Sequence, residues 1–287
     1  MNEGFITSNR VRLAFRDSGT RGRDVVLLHG GFSNLEYFAG LAAVLAERHR
    51  VVSYDLRGHG QSGAGPNGLA DHGDDLCAVI TGLELELPFV IGASFGAFVA
   101  LEVAAREPSP VGGIVNLDGP LVDRDDAAEW TPDHPSWAAR RAAFRASIAA
   151  RPDQWSCARE ELDSRLREVP EANRAFEARK YVESGNGGYV EHPDADTSAD
   201  LLLRSKGPTE HYYERLFVPA LVLVASLSGV IFDDVEQRQS AAKHLKKAYP
   251  KLDVRVIVGQ HDLVGGSFDG VVAELSSWLA TTTGGDG

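Results

Sequence analysis

Residues 89–101 read FVIGASFGAFVAL. Three β-prone residues, Phe89, Val90 and Ile91, run into Gly92, and a small-residue helical pattern begins near Gly96. Between the two glycines stands one hydroxyl, Ser94. A chain that turns abruptly from strand to helix forces the residue at the bend into strained backbone geometry, and small neighbours let it cross itself closely. Such a bend lifts the Ser94 hydroxyl above the sheet. It also puts the amide of Phe95 at a helix N-terminus, where N–H groups without helical partners favour an anion. The G-x-S-x-G pattern acquires meaning only from this strand–turn–helix setting.

Outward from this stretch, short apolar runs alternate with helical spacing. Strands are expected at 11–16, 25–28, 51–54, 89–93, 113–117, 220–225 and 254–258. Helices are expected at 35–48, 69–82, 96–106, 234–248 and 270–280. Strands that are apolar throughout are buried on both faces, as in a parallel sheet, and strand–helix alternation implies right-handed crossovers. The expected fold class is α/β, a mostly parallel sheet covered by helices on both faces.

Residues 119–215 break the alternation. They offer helical patterns at about 136–150, 155–168 and 171–183, turn-rich patches such as ESGNGGYVEHPDAD, and three of the four tryptophans, but no convincing buried strand. The expected organisation is a core of residues 1–118 and 216–287 with a helical cap, 119–215, inserted over the carboxyl ends of the strands, where open α/β sheets bind ligands.

Composition narrows the partners. The chain has 287 residues, enough for a large core, and a formal net charge of −12, which disfavours nucleic acid and anionic membrane surfaces. No apolar run approaches the ~20 residues needed to span a bilayer, and the first residues lack a basic segment followed by an apolar one. Two cysteines, Cys77 and Cys157, make neither a disulfide framework nor a metal site. The expectation is a cytoplasmic protein acting on a small molecule.

Four motifs together resemble the α/β-hydrolase superfamily over nearly the whole chain. VVLLHGGF (25–32) resembles its strand and oxyanion loop, VVSYDLRGHGQS (51–62) its next strand and glycine loop, IGASFG (91–96) its nucleophile elbow, and VIVGQHDL (256–263) its terminal strand and histidine loop. The resemblance implies a serine nucleophile, Ser94, with His261 as base. His29 is then a loop-orienting residue, and His59 a minor alternative. Dehalogenase and epoxide-hydrolase relatives carry an aspartate at the elbow, so the serine points away from those activities. The implied reaction is attack on an ester, thioester or lactone carbonyl through an acyl-enzyme, with no metal or organic cofactor.

The family's acid usually follows the strand at 220–225. There this sequence has Ser226 and Ser228, with Asp233 and Asp234 only later, at what reads as a helix start where carboxylates serve as caps. Asp118, directly after GIVNL (113–117), is the other candidate, since some superfamily members take the acid from this earlier strand; a plain Asp118-Gly119 turn is the structural alternative. Oxyanion donors are expected from the amide of Gly31 or Phe32 together with that of Phe95. Asp55 and Arg57 read as a charged pair pinning the glycine loop. Trp130, Trp137, Trp155, Tyr212 and Tyr213 are candidates to line the substrate pocket, with cap packing as their alternative use. Carbon–carbon bond hydrolysis, lyase or cyclase chemistry in the same site, and non-catalytic binding of a small ligand, remain as alternatives.

Overall fold

The computed structural model describes residues 1–123, 126–150, 156–185, 187–227 and 235–283. Its sheet strands are β1 (Asn2–Ser8), β2 (Val11–Asp17), β3 (Arg23–Leu28), β4 (His49–Tyr54), β5 (Phe89–Ala93) and β6 (Gly113–Leu117), with β10 (Ala220–Ala225) and β11 (Asp253–Ile257) following the insertion. The helices between them are α1 (Ala39–Leu45), α2 (Leu69–Gly82) and α3 (Phe95–Ala104), and later α9 (Val235–Ala248), α10 (Leu263–Gly266) and α11 (Phe268–Thr283). The insertion contributes α4 (Trp137–Ala149), β7 (Ser156–Cys157), α5 (Arg159–Glu168), α6 (Glu171–Arg179), β8 (Tyr181–Glu183), β9 (Tyr189–Glu191), α7 (Ala195–Arg204) and α8 (Glu210–Tyr213).

The large sheet runs in the order β1-β2-β4-β3-β5-β6-β10-β11. The pairs β1–β2 and β2–β4 are antiparallel, and every pair from β4 to β11 is parallel. Alternate residues of one strand enter different cores. Val26 and Leu28 pack with α2, α3 and α9 residues on one face, whereas Val25 and Leu27 pack with α1 and α11 residues on the other. That two-sided burial is why these strands read as continuous apolar runs.

Two regions differ from the sequence reading. Residues 2–8 form a further strand whose side chains are mostly exposed or half-buried, so it lacks an apolar signature. The insertion is not purely helical: β7, β9 and β8 form a small antiparallel sheet. Its hairpin is visible in hindsight as YVE repeated on either side of the turn residues. The helix expected over 171–183 therefore ends at Arg179.

The glycines around Ser94 are set by backbone approach. A Cβ on Gly96 would collide with the carbonyl oxygens of Leu28 and His29, and one on Gly92 would collide with the backbone of Gly96 and Ala97. None of these obstacles is a flexible side chain, so relief requires pulling α3 away from β3. Gly96→Ala is expected to destabilise the fold by at least about 3 kcal/mol in urea denaturation. A transition within experimental error of the parent protein would show that α3 does not need this close approach.

Candidate active site

Ser94 occupies the single bend between β5 and α3, at φ 51° and ψ −115°. Non-glycine residues reach this region only when the surroundings hold them there. The restraint is the sheet ladder, which continues past the strand ends. The Ser94 amide donates to the carbonyl of Leu117 (3.0 Å), and the amide of Asp118, itself at φ 49°, donates to the carbonyl of Leu223 (2.8 Å). Ser94 and Asp118 thus stand side by side at the carboxyl ends of β5 and β6.

The turn carrying Asp118 is fixed by its own network. The Asn116 side chain accepts from the Gly119 amide (2.7 Å) and donates to the carbonyl of Pro120 (2.8 Å) and the hydroxyl of Tyr213 (2.9 Å); Tyr213 in turn donates to Pro120 (2.7 Å). Burial raises the pKa of the Tyr213 hydroxyl, which keeps it protonated for this role.

Asp118 has a fully buried carboxylate that accepts three hydrogen bonds. Oδ2 accepts from His261 Nδ1 at 2.6 Å, while Oδ1 accepts from Arg238 Nη2 at 2.6 Å and from the Ala225 amide at 2.9 Å. The bond to the carboxylate leaves Nε2 as the other ring nitrogen of His261. Next in the chain, Asp262 caps α10 by accepting from Gly265 N (2.8 Å) and hydrogen-bonds the Tyr37 hydroxyl, so the histidine loop is anchored from two sides. Asp233 and Asp234, the alternative carboxylates, lie outside the described residues.

The Gly30-Gly31 loop reaches the same point from β3. A Cβ on Gly30 would lie 3.1 Å from Ser94 Cβ and 3.8 Å from Ser94 Oγ, which measures how closely the loop passes the hydroxyl. Phe32 sits at φ 62°, after Ser94 and Asp118 a third non-glycine residue of this site held at positive φ, with an exposed ring. The Phe95 amide opens α3 and has no partner within its own helix. Gly31, Phe32, Ser94, Phe95, Asp118 and His261 line one cavity of about 780 Å³. Its other walls include Leu121, Leu201, Leu202, Thr209 and Glu210 of the insertion, with Phe98 and Arg238.

The proposed aromatic wall is not where the sequence put it. Among the described residues, Trp130, Trp137, Tyr212 and Tyr213 do not line this cavity. Trp130 donates to Asp126 (2.8 Å) and is flanked by Arg140 and Lys206, whose charged ends lie 4.2 and 4.0 Å from its ring centre. Trp137 is buried in α4 beneath Arg204. Tyr212 packs edge-on behind Phe98, and Tyr213 braces the Asp118 turn. Trp155 lies outside the described residues. The cavity walls are instead mixed: Leu121, Val122, Leu201 and Leu202 with Phe32, Phe95 and Phe98 form the apolar part, and charged and polar side chains the rest. Leu201 belongs to the buried stripe of α7 and Leu202 is its half-buried neighbour, so the amphipathic spacing of that helix marks the first and not the second.

Asp55 and Arg57 do not pair with each other. Asp55 accepts from the amides of Leu35 and Gln61 (both 2.8 Å) and from Arg179 Nε of the insertion (2.9 Å), and Arg57 forms a bidentate pair with Asp75 (2.7 and 2.6 Å). Arg238 had no role in the sequence reading. The signal for it is that Arg238, Ala242 and Leu245 form the buried stripe of α9, and an arginine in an apolar stripe needs a buried anion.

A family model described as alpha/beta hydrolase fold matches residues 25–264. The chain belongs to this family. Among curated α/β-hydrolase relatives, a 2-(acetamidomethylene)succinate hydrolase from Mesorhizobium japonicum is 32% identical over 111 residues, 38% of this chain and 40% of that protein. A pimeloyl-[acyl-carrier protein] methyl ester esterase from Chromobacterium violaceum is 42% identical over 91 residues, 32% of this chain and 35% of that protein. In both matches the chain spans less than half the length of the relative. A crystal structure of E-2-(acetamidomethylene)succinate hydrolase superposes with a TM-score of 0.75 at 20% identity, covering 97% of this chain and 99% of that one, a likeness of fold. Among the described residues, no helix of this α/β-hydrolase is long and apolar enough to cross a membrane, and no cluster of three or more His, Cys, Asp or Glu is arranged to hold a metal ion.

Beneath the two loops lies a layer of buried histidines. His29 accepts from the Leu56 amide through Nε2 (2.9 Å) and donates to the Gly30 carbonyl through Nδ1 (2.7 Å). His59 donates to the Arg57 carbonyl (2.9 Å), and His72 contacts Asn67 (2.6 Å). Burial holds all three neutral, pushing His59 down to about 4 and the other two well below the ordinary histidine range. The unfolded chain therefore binds more protons in this range. Their contribution to stability is complete above about pH 6.5 and is lost as pH falls towards the folded values, at up to about 1.4 kcal/mol per pH unit for each histidine. Burial pushes Asp55 and Asp75 upward, a contribution of opposite sign. Urea denaturation at pH 7.5 and 5.5 should show lower stability at the acid value, and His59→Gln should reduce the difference whatever its own stability. Equal differences in the parent and His59→Gln proteins would contradict the neutral assignment of His59.

Proposed function

We propose that the protein is a serine hydrolase whose nucleophile is Ser94, with His261 as general base and Asp118 as the acid that orients it. The observation carrying this reading is the 2.6 Å hydrogen bond from His261 Nδ1 to Asp118 Oδ2, at a residue beside Ser94 on the same cavity. His261 takes the Ser94 hydroxyl proton at Nε2 as Oγ attacks the substrate carbonyl carbon. The negative charge formed on the carbonyl oxygen is met by the amides of Phe95 and of Gly31 or Phe32. His261 returns the proton to the departing alcohol or thiol, leaving an ester on Ser94. Water, deprotonated by the same imidazole, resolves it to the acid and regenerates the hydroxyl. Asp118 stabilises the imidazolium in both halves without itself taking the proton.

In this reading residues 119–215 form a cap on a core made of 1–118 and 216–287. The support is that leucines and polar residues of the insertion line the cavity that contains Ser94 and His261. The substrate follows from the walls: a neutral ester, thioester or lactone of modest size with an apolar acyl part. Phe95, Phe98, Leu121, Leu201 and Leu202 are apolar. The charged groups beside them already have partners: Asp123 accepts from the Thr209 and Glu210 amides, Asp126 accepts from Trp130 Nε1, Lys206 lies over the Trp130 ring, Glu210 contacts His244 at 2.7 Å, and Arg238 holds Asp118. A substrate carboxylate entering here loses hydration without gaining a committed cation.

Two kinetic results test the reading. Ser94→Ala is expected to lower kcat on p-nitrophenyl butyrate by about 10³-fold or more with an unchanged fold; most of the activity surviving would rule out covalent catalysis at this residue. The parent enzyme should favour p-nitrophenyl butyrate over p-nitrophenyl hydrogen succinate by about 10-fold or more in kcat/KM. A preference for the charged ester would overturn the assignment of a neutral substrate while leaving the nucleophile untouched.

A further inference from the structure

We propose that Arg238 is a positioning residue for Asp118: it clamps the carboxylate so that Oδ2 stays aimed at His261. The proposal rests on the serine hydrolase reading above. A carboxylate turns on a broad, two-fold torsion, so a single hydrogen bond to His261 does not fix its plane. Here the other oxygen is held from two directions, by Arg238 Nη2 at 2.6 Å and by the Ala225 amide at 2.9 Å. The guanidinium also donates to the Gly119 carbonyl at 3.3 Å, tying together the acid and the residue after it. Both side chains are buried, with 4% of the Arg238 side chain and none of Asp118 exposed, so solvent does not weaken the pair. Arg238 lies one turn into α9, the helix that follows β10. In the usual family arrangement the acid is carried after that strand; here the same stretch supplies the cation that reaches across to an acid on β6.

The guanidinium has a second effect. A buried carboxylate left with only an amide and a ring N–H is poorly compensated, and a full positive charge at hydrogen-bond distance offsets its lost hydration. Neither effect requires Arg238 to touch the substrate, and its influence therefore passes through Asp118.

The test is a set of variants assayed on p-nitrophenyl butyrate, with circular dichroism to check folding. Arg238→Met should lower kcat by about 10- to 100-fold with KM changed less than about threefold, the size of loss seen when a partner that orients a working side chain is removed. Arg238→Lys, which keeps the charge but not the planar fork, should fall between the two. On an Asp118→Asn background, Arg238→Met should cost little more, because the residue it positions is already disabled. An independent readout is the low-field Nδ1 proton resonance of His261 in Ser94→Ala protein, expected in the parent sequence and weakened or lost with Arg238→Met. If Arg238→Met does not fold, Arg238→Lys carries the test: kcat reduced at unchanged KM supports the proposal, and parental kcat overturns it. Fully additive losses in the double variant, or an unchanged proton resonance with Arg238→Met, also overturn it. Failure of the underlying reading looks different: Ser94→Ala would then keep its turnover.

Discussion

The amide of Ser94 donates to Leu117 and the amide of Asp118 donates to Leu223, one step beyond the ends of their strands. These two bonds carry the parallel register of β5, β6 and β10 into the loops, and the site depends on them. They hold two non-glycine residues at positive φ, a conformation worth about 1–3 kcal/mol of strain apiece. Without that restraint each turn relaxes, and the hydroxyl and carboxylate lose their common edge. The close passage of α3 over the end of β3, which requires Gly92 and Gly96, presses the Gly30-Gly31 loop against the same point.

A second layer of constraint runs beneath the loops and is polar. The bidentate Arg57–Asp75 pair, the neutral histidines and the Asp55–Arg179 bridge are buried or nearly so. Buried ion pairs are poor sources of stability, because desolvation offsets most of their attraction. Their geometric content is larger. Asp55 binds the amide of Leu35 in the segment after β3, the amide of Gln61 in the glycine loop and the guanidinium of Arg179 in the insertion, so three separated segments share one carboxylate. Further bonds from Asn34 to Phe176, and from Gln61 to Arg179 and Tyr181, fasten the insertion along the same side.

The parts of this arrangement legible in the sequence are those with a local or periodic signature. Strands β3 to β6 and β10 announced themselves as apolar runs because both of their faces are covered, and the Ser94 bend announced itself because only glycine tolerates its crossings. Asp118 was legible by position, as an acid at the end of a core strand. Strand β1 was not, since it is an edge strand with largely exposed side chains. Asp55 and Arg57 looked like partners because they are neighbours in the chain, yet each found its counter-charge elsewhere, Asp55 in an insertion helix 124 residues away. Long-range polar pairing leaves no period to read. The tryptophans misled for a related reason: size and apolarity fit a pocket wall and a cap core equally well, and here Trp130 and Trp137 serve the latter. The arginine of α9 did leave a trace, a charge within an apolar stripe, whose meaning depends on what faces it.

The central claim is that Ser94 carries the acyl group between the two halves of the reaction. The most direct test is rapid-quench mass spectrometry of the intact protein during turnover of p-nitrophenyl acetate, followed by peptide mapping. The account predicts a transient gain of one acetyl group, located on the peptide containing Ser94 and absent in Ser94→Ala. Ester turnover with no adduct under conditions where nitrophenol appears in a burst, or an adduct on any other residue, would contradict it.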